Sequence, residues 1–232
     1  ITFSGMKQTH DEEFNKSVFM KHLLQDSILP SDIYVRAKEL HISTETHRVV
    51  YIIKTDSDSG EIVYDVLFNM FPDKEKDFLV SLDEETIVLV KEFTESVNVK
   101  SIDAVANLVH DNVNAEAMCK VKIGIGSCVN TVREIAASHK EAKIAIEVSK
   151  VFDTERDIVN YEHLGIGRLI YQLPTTLCKK FLDEVFKKGS LEKLDEDTIN
   201  TIQRFFENSL NISETARKLF VHRNTLVYRL DK

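Results

Sequence analysis

Three consecutive side chains close to the end of the chain, Arg223, Asn224 and Thr225, are of the types that contact DNA. Arg pairs with guanine edges, Asn pairs with adenine edges, and Thr, Tyr and cationic side chains hold phosphates. Tyr228 and Arg229 follow at a spacing that places them on the outward face of the same predicted helix. These residue types predict a surface that binds double-stranded DNA.

A helix-turn-helix would position these side chains, because it presents the N-terminal part of its second helix to the major groove. The segment NISETARKLFVHRNTLVYRL, residues 211–230, contains the expected parts. Ser213 is predicted to cap the first helix, and Ala216 is small where the two helices must approach each other. The positions with inward-facing spacing are Leu219, Val221, Leu226 and Leu230.

The alternative is an amphipathic helical hairpin whose charged face contacts only water. DNA binding is favoured, because the outward residues at the start of the second helix are base-reading types rather than a mixture of Glu and Lys. The predicted DNA-contacting residues are Ser213, Thr215, His222, Arg223, Asn224, Thr225, Tyr228 and Arg229.

The charge of the chain is unevenly distributed. The formal net charge is -8, but residues 205–232 hold five basic and three acidic side chains, a net of +2. The remaining residues hold 25 basic and 35 acidic side chains, a net of -10. Because phosphates attract local positive charge, only the C-terminal segment is predicted to bind nucleic acid.

Composition restricts the class of protein. With 232 residues, 43% hydrophobic and 29% charged, the chain has the composition of an ordinary globular protein. Its apolar runs fall short of the roughly 20 residues of a membrane span, so no membrane partner is expected. The start has no export signal and no initiating Met, and we expect a part of a longer chain. Three widely spaced cysteines without a C-x-x-C pair favour a reducing cytoplasm.

Most of the chain alternates between strand and helix patterns. Helices are predicted at 12–26 and 31–40, the second capped by Ser31. The elements predicted next are a strand at 47–56, a helix after the turn at 57–60, two strands within 77–93 joined at 83–85, a helix at 101–118, a strand at 119–129, a helix at 131–152 opened by a capping box of Thr131 and Glu134, and a strand at 157–164.

This order predicts an α+β fold, in which a ferredoxin-like mixed sheet with helices largely on one face precedes an all-helical part that ends in the helix-turn-helix. The predicted domains are a helical lead-in at 1–45, the sheet domain at 46–164 and the helical domain at 165–232.

The phrase H-R-N-T-L-x-Y-R-L, present from His222 to Leu230, resembles the C-terminal helix-turn-helix of the PucR and carbohydrate diacid regulator family. The architecture is also similar to the terminal unit of the factor for inversion stimulation, and that resemblance implies DNA contacts at Arg223 and Thr225. Val227 stands where many relatives have Arg, so one possible backbone contact is absent. Phe220 stands in the turn, where other helix-turn-helix proteins commonly have Gly, and implies an altered turn geometry.

The resemblance extends over most of the chain and implies a DNA-binding transcriptional regulator. The middle domain of the family resembles a GGDEF nucleotide cyclase that has lost its active site. Leu82 and Asp83 stand here where a cyclase carries two glycines, which implies a degenerate GGDEF-like domain. The resemblance further implies a small-molecule effector bound upstream of Ile1, and the need for paired half-sites implies a homodimer.

Residues 47–164 leave one other function open, a nucleotide-binding or residual cyclase-like enzyme domain. Glu84 and Glu85 could attract a divalent cation at the hairpin tip, although a solvated turn is favoured. The GIGSC stretch at 124–128 suits a phosphate loop or the close packing of a helix on a strand, and the missing Walker Lys favours packing.

No catalytic residue, metal site or cofactor is predicted. His110 and His139 have no acid or Cys at ligand spacing. Ser127 with His139 would supply a nucleophile and a base, but no nucleophile elbow surrounds this serine.

Overall fold

The apolar stretch VVYII, residues 49–53, lies in the central strand of a mixed sheet. The computed structural model describes residues 3–94, 97–151, 156–186, 194–208 and 210–231. The chain divides into two compact units, Ile1–Gln172 and Leu173–Lys232.

The first unit combines the sheet with helices. Its strands are β1 (Glu45–Lys54), β2 (Phe78–Ser81), β3 (Thr86–Phe93), β4 (Lys122–Ile125), β5 (Val129–Thr131) and β6 (Ile158–Asn160). Its helices are α1 (Phe3–Leu24), α2 (Pro30–Glu39), α3 (Gly60–Met70), α4 (Val99–Glu116), α5 (Ile135–Val151) and α6 (Gly167–Gln172).

The strand order β2-β3-β1-β4-β6 confirms the predicted ferredoxin-like sheet. Strands β2, β3, β1 and β4 pair in antiparallel fashion, and β6 adds to β4 in parallel. The stretch predicted as one strand at 119–129 is interrupted after Ile125, and the short β5 pairs with β1 instead. The sheet is therefore mixed, as predicted, with one strand more than the pattern indicates.

Both faces of β1 are covered. Successive side chains of a strand point to opposite sides, so a strand that is apolar at every position needs cover on each side. Val50 and Ile52 pack with α1, α2 and α5 on one face. Val49, Tyr51 and Ile53 pack with α3 and α4 on the other. The expectation of helices largely on one face is therefore wrong, because it holds only for α3 and α4, and the added helices cover the second face.

Strand β4 and helix α5 approach each other so closely that only glycine fits. A Cβ atom at Gly124 would collide with the carbonyl oxygen of Ala142 and lie 2.6 Å from Cγ1 of Ile146. Beyond the strand, the amide of Ser127 donates to Oε2 of Glu141 at 2.9 Å, so this loop already binds a carboxylate of the chain itself. The packing interpretation of GIGSC is confirmed, and the phosphate-loop interpretation is not.

Two helix starts can be compared with their predictions. Thr131 and Glu134 form the predicted capping box ahead of α5. Ser31 does not cap α2: the helix begins at Pro30, Leu29 is the capping position, and the Ser31 hydroxyl donates to the Asp32 carboxylate. The prediction for Ser31 was wrong because proline, whose fixed φ and missing N–H suit the first helical position, takes that position one residue earlier.

The second unit is helical, as predicted. Its helices are α7 (Thr175–Val185), α8 (Glu196–Glu207), α9 (Ile212–Lys218) and α10 (Arg223–Asp231). The predicted domain boundary lies between residues 164 and 165, and α6, which follows that boundary, is grouped with the first unit. In the described part of the chain, no helix is both long enough and apolar enough to span a membrane.

His139 connects α5 to the end of α1, and its pKa is lowered there. Its ring Nδ1 lies 2.8 Å from the carbonyl oxygen of Leu24, so Nδ1 carries the proton and donates. Burial lowers the pKa of His139, and the charges of Lys143 and Lys140 act in the same direction. The folded state therefore favours the neutral imidazole, whereas the unfolded chain binds a proton at the ordinary pKa of about 6.5.

We expect His139→Asn to reduce the loss of stability on acidification. The contribution of a neutral buried histidine is complete above the unfolded pKa of about 6.5 and is lost as the pH falls below it toward the lower folded pKa. The Asn amide keeps the donor to Leu24 but does not titrate. Urea unfolding at a series of pH values should give a shallower decline for the variant than for the original chain below that pH, with similar stability above it. Equal slopes would contradict the assignment, and His163→Asn is the control at an exposed position.

Candidate nucleic-acid interface

Three helices of the second unit enclose a small core that contains several hydroxyl groups. Four residues of these neighbouring helices are buried: Leu226 of α10, Thr215 and Ala216 of α9, and Thr201 of α8. The two threonine hydroxyls donate to carbonyl oxygens one turn earlier in their own helices, at 2.8 Å from Thr215 and 2.6 Å from Thr201. Because each hydroxyl is hydrogen-bonded, the core can hold it without an unsatisfied polar group.

The first helix of the motif begins two residues earlier than the predicted cap at Ser213 implies. Asn211 is the capping residue of α9, and its side-chain oxygen accepts from the amide of Glu214 at 3.1 Å. Ser213 is an exposed residue in the first turn, so its prediction as the cap was wrong. Both residue types are good caps, and the position at which the chain turns into the helix decides between them.

His222 forms two hydrogen bonds with the first turn of α10. Its Nδ1 accepts from the amide of Asn224 at 3.3 Å, and its carbonyl oxygen accepts from the amide of Leu226 at 3.1 Å. Arg223, Asn224 and Thr225 are consequently the first three helical residues, and all three are exposed. The N-terminus of a helix carries partial positive charge, which favours a phosphate nearby.

Phe220 occupies the turn between α9 and α10 in a left-handed conformation, with φ of 54°. The amide of Val221 donates to the carbonyl oxygen of Ala216 at 3.0 Å, and that of Phe220 donates to Arg217 at 3.2 Å, which closes the end of α9. The altered turn geometry expected from Phe220 is therefore not found: the chain keeps the conformation that glycine adopts easily and places a 95% exposed aromatic ring there.

Two of the eight predicted contact residues are turned inward. The Thr215 side chain is buried in the core. Nη1 of Arg229 donates to Oγ1 of Thr201 at 3.3 Å, and Nη2 lies 3.5 Å from a carboxylate oxygen of Asp197, so this side chain joins α10 to α8. The other six predicted side chains are exposed and lie on α9, the turn and α10: Ser213, His222, Arg223, Asn224, Thr225 and Tyr228.

The cations of this surface differ in whether they are neutralised. Arg217 donates to a carboxylate oxygen of Glu214 at 2.7 Å, and this hydrogen bond lowers the pKa of Glu214. Lys218 and Arg223 are exposed and form no ion pair within the described ranges of the chain. Lys218 was not among the predicted contacts, and its position at the end of α9, just ahead of the turn, places a further exposed cation in this region.

The tip of the hairpin between β2 and β3, where a cyclase would carry its glycines, is held by a hydrogen bond of its own residues. Oδ1 of Asp83 accepts from the amide of Glu85 at 3.0 Å. Gly60, the first residue of α3, has no room for a Cβ atom because the carbonyl oxygen of Glu84 lies against it. Glu84 and Glu85 are exposed, and no group of three or more potential metal ligands occurs among the residues that are described.

A cavity of about 440 Å³ lies beside β6, at the edge of the sheet opposite to β2. Its wall includes Asp103, whose carboxylate accepts from Nδ2 of Asn160 at 2.9 Å, and the side chains of Arg156 and His163. The hairpin tip and this cavity are separate, so the cavity adds no group to Glu84 and Glu85.

The chain combines a ferredoxin-like sheet unit with a capped helix-turn-helix, and comparison with known families supports both assignments. The family model of the GGDEF-like domain matches residues 25–148, and that of the PucR C-terminal helix-turn-helix domain matches residues 198–232. Because the first match spans more than half of the chain, the chain belongs to the GGDEF-like domain family, and its C-terminal domain is of the PucR type. The resemblance read from residues 211–230 is thereby confirmed.

Three curated relatives come from Bacillus subtilis (strain 168). The purine catabolism regulatory protein is 28% identical over 121 residues, 52% of this chain and 23% of its own length. The proline-responsive transcriptional activator PutR is 22% identical over 232 residues, 94% of this chain and 56% of its own. The DNA-binding transcriptional activator AdeR is 28% identical over 120 residues, 48% of this chain and 28% of its own. The chain thus spans between about a quarter and just over half of these relatives.

Among solved structures, the regulator of polyketide synthase expression from Bifidobacterium adolescentis is similar with a TM-score of 0.49 and 13% identity. The similarity covers 94% of this chain and 82% of that one.

We expect Phe220→Gly to stabilise the helix-turn-helix by about 0.5–1 kcal/mol. Glycine removes a left-handed strain of about 1–2 kcal/mol, but it also increases the conformational entropy of the unfolded chain, which offsets part of this gain. Little packing is lost, since the ring is almost wholly exposed. Hydrogen exchange of the amides in residues 212–231 measures this local stability. Phe220→Ala removes the ring but keeps the Cβ atom, so it should give no gain. A lower protection in Phe220→Gly than in Phe220→Ala would show that strain at this position is not the controlling quantity.

Proposed function

We propose that this chain is the DNA-binding part of a transcriptional regulator, and that its helical domain, residues 165–232, binds double-stranded operator DNA. The observation that carries the proposal is the first turn of α10, where His222 caps the helix and Arg223, Asn224 and Thr225 are presented to solvent. A capped helix N-terminus with base-reading side chains is the arrangement that a recognition helix needs in the major groove.

In the proposed complex the exposed residues make two kinds of contact with DNA. Arg223 and Asn224 read base edges, whereas Ser213, Thr225 and Tyr228 bind phosphates or sugars and fix the register. His222 presents the outward edge of its ring beside them, and Lys218 adds a cation. The Thr215 side chain is left out of the contact set because it is buried, and Arg229 acts by holding α10 on α8.

We further propose that the protein works as a homodimer in the cytoplasm, where its DNA target lies. One recognition helix makes few contacts, and paired half-sites supply the affinity that specific regulation requires. A small metabolite would control the protein by binding to a part of it outside residues 1–232. The relatives support this proposal by name: one is a proline-responsive activator, and another is a regulatory protein of purine catabolism.

Residues 46–164 act in this proposal as a degenerate GGDEF-like domain without enzymatic activity. The contact of Gly60 with the backbone of Glu84 supports this role, because the hairpin tip rests on the start of α3. Leu82 and Asp83 also carry side chains where glycines would let a nucleotide approach the backbone.

Calorimetric titration with GTP and with cyclic dinucleotides tests the non-enzymatic role of this domain. We expect no binding heat with either ligand, because the side chains at 82 and 83 obstruct the hairpin. The double variant Glu84→Ala, Glu85→Ala is the control. Tight binding by the original chain that disappears in this control would establish a nucleotide site and overturn the proposal.

The variants Arg223→Ala and Asn224→Ala test DNA recognition. Each should weaken a footprint on the protein's own promoter region by about 10- to 100-fold, because each removes a base contact of about 1–3 kcal/mol. Circular dichroism should remain unchanged, since both side chains are exposed and neither packs in the core.

Arg204→Ala is the matched control for these variants, because it removes an exposed arginine from α8 of the same unit. It should leave the footprint in place, whereas loss of binding in all three variants would indicate a general charge effect. Unchanged footprints in Arg223→Ala and Asn224→Ala would refute recognition by α10.

A further inference from the structure

Helix α7 has an apolar face whose large side chains are all exposed. Leu177, Phe181, Leu182 and Val185 recur at spacings of three and four residues, and each is between 41% and 60% exposed. None of the side chains of α7 is buried. An isolated helix of eleven residues is marginal in water and gains its stability mainly from the packing of its apolar face. This face therefore requires a cover.

The size of the face suits a second protein surface. Its four side chains and that of Phe186, exposed to 37%, present on the order of 400 Å² of apolar surface, taking roughly 150–200 Å² for each large apolar residue when fully exposed. A standard protein interface buries about 800 Å² on each partner, and a little over half of that area is apolar. The face of α7 supplies about that apolar share.

The charges beside the apolar face select the orientation of a partner. Lys180 and Glu184 are four residues apart, so they lie along one flank of the face, and Lys179 lies along the other flank. If two copies of α7 pair in antiparallel fashion about a two-fold axis between Phe181 and Leu182, the same flanks meet, and Lys180 of each copy lies opposite Glu184 of its partner. Parallel pairing would bring Lys180 of one copy to Lys179 of the other. The charge pattern is thus complementary to itself only in the antiparallel arrangement.

We infer that α7 is the interface of a two-fold symmetric homodimer, in which the apolar faces of two antiparallel copies pack together with Lys180 and Glu184 paired across the axis. An interface that uses the same patch on both subunits is the type that two-fold symmetry requires. The choice of a second copy as the occupant rests on the proposed function, since recognition helices that read paired half-sites are related by a two-fold axis.

Sedimentation of the whole chain without DNA tests the interface. Phe181→Asp should raise the dimer dissociation constant by about thirtyfold or more, because it places a charge at the centre of the apolar contact. Folding of each chain should be unaffected, which circular dichroism checks, since Phe181 is exposed. Phe14→Asp changes a similarly exposed phenylalanine on α1 and is the matched control, which should remain dimeric. A monomeric original chain, or a dimeric Phe181→Asp, would overturn the inference.

Charge reversal tests the antiparallel arrangement. Lys180→Glu and Glu184→Lys should each weaken self-association by about tenfold, because each creates two like-charged pairs in the dimer. The double variant Lys180→Glu, Glu184→Lys should restore it, and a mixture of the two single variants should form the heterodimer in preference to either homodimer. No preference in the mixture and no restoration in the double variant would refute the antiparallel pairing.

The dimer interface and DNA recognition can be tested independently of each other. Arg223→Ala should sediment as a dimer but weaken the footprint by about 10- to 100-fold, whereas Phe181→Asp should sediment as a monomer and bind paired half-sites weakly. A dimer that depends on Phe181 in a chain that leaves no footprint would retain the interface and refute DNA recognition. A footprint that Phe181→Asp leaves unchanged would retain DNA recognition and refute the interface.

Discussion

Burial of β1 on both faces is the constraint on which the first unit depends. A strand with apolar side chains at successive positions cannot face water on either side, so helices must cover the sheet twice. The βαββαβ unit covers one face with α3 and α4, and the other face needs α1, α2 and α5. The close approach of α5 to β4 follows from this need, and Gly124 makes it possible because any Cβ atom there would collide with the helix backbone.

The second unit differs from the first because its core is small and partly polar. Leu226 is fully buried, and the threonines around it satisfy their hydroxyls within their own helices. Such a core contributes little hydrophobic stabilisation, so caps and turns matter more than in the sheet unit. Asn211 and His222 each satisfy an amide at the start of a helix, and Arg229 joins α10 to α8. These polar contacts hold the first turn of α10 in the orientation in which its side chains reach solvent.

The uneven distribution of charge along the chain agrees with the proposed roles of its two parts. The acidic body has no reason to bind phosphates, and the C-terminal segment of net charge +2 carries the exposed Lys218 and Arg223. In the proposed dimer, the apolar face of α7 brings two weak reading surfaces together. Affinity for DNA then comes from two copies rather than from a large positive field on one.

Apart from β5, the sequence by itself determined the order of the elements, the ferredoxin-like sheet and the helix-turn-helix, because hydrophobic periodicity, the capping box of Thr131 and Glu134 and the H-R-N-T-L-x-Y-R-L phrase are local properties of the chain. It also identified Arg223, Asn224 and Thr225 as exposed residues at the start of α10. The tertiary structure decided those features of the helix-turn-helix that depend on packing against a further helix. Only the position of α8 turns Arg229 inward, and only the core buries Thr215. The same holds for the second layer of helices, whose placement follows from the burial of β1 and not from the pattern of any one helix.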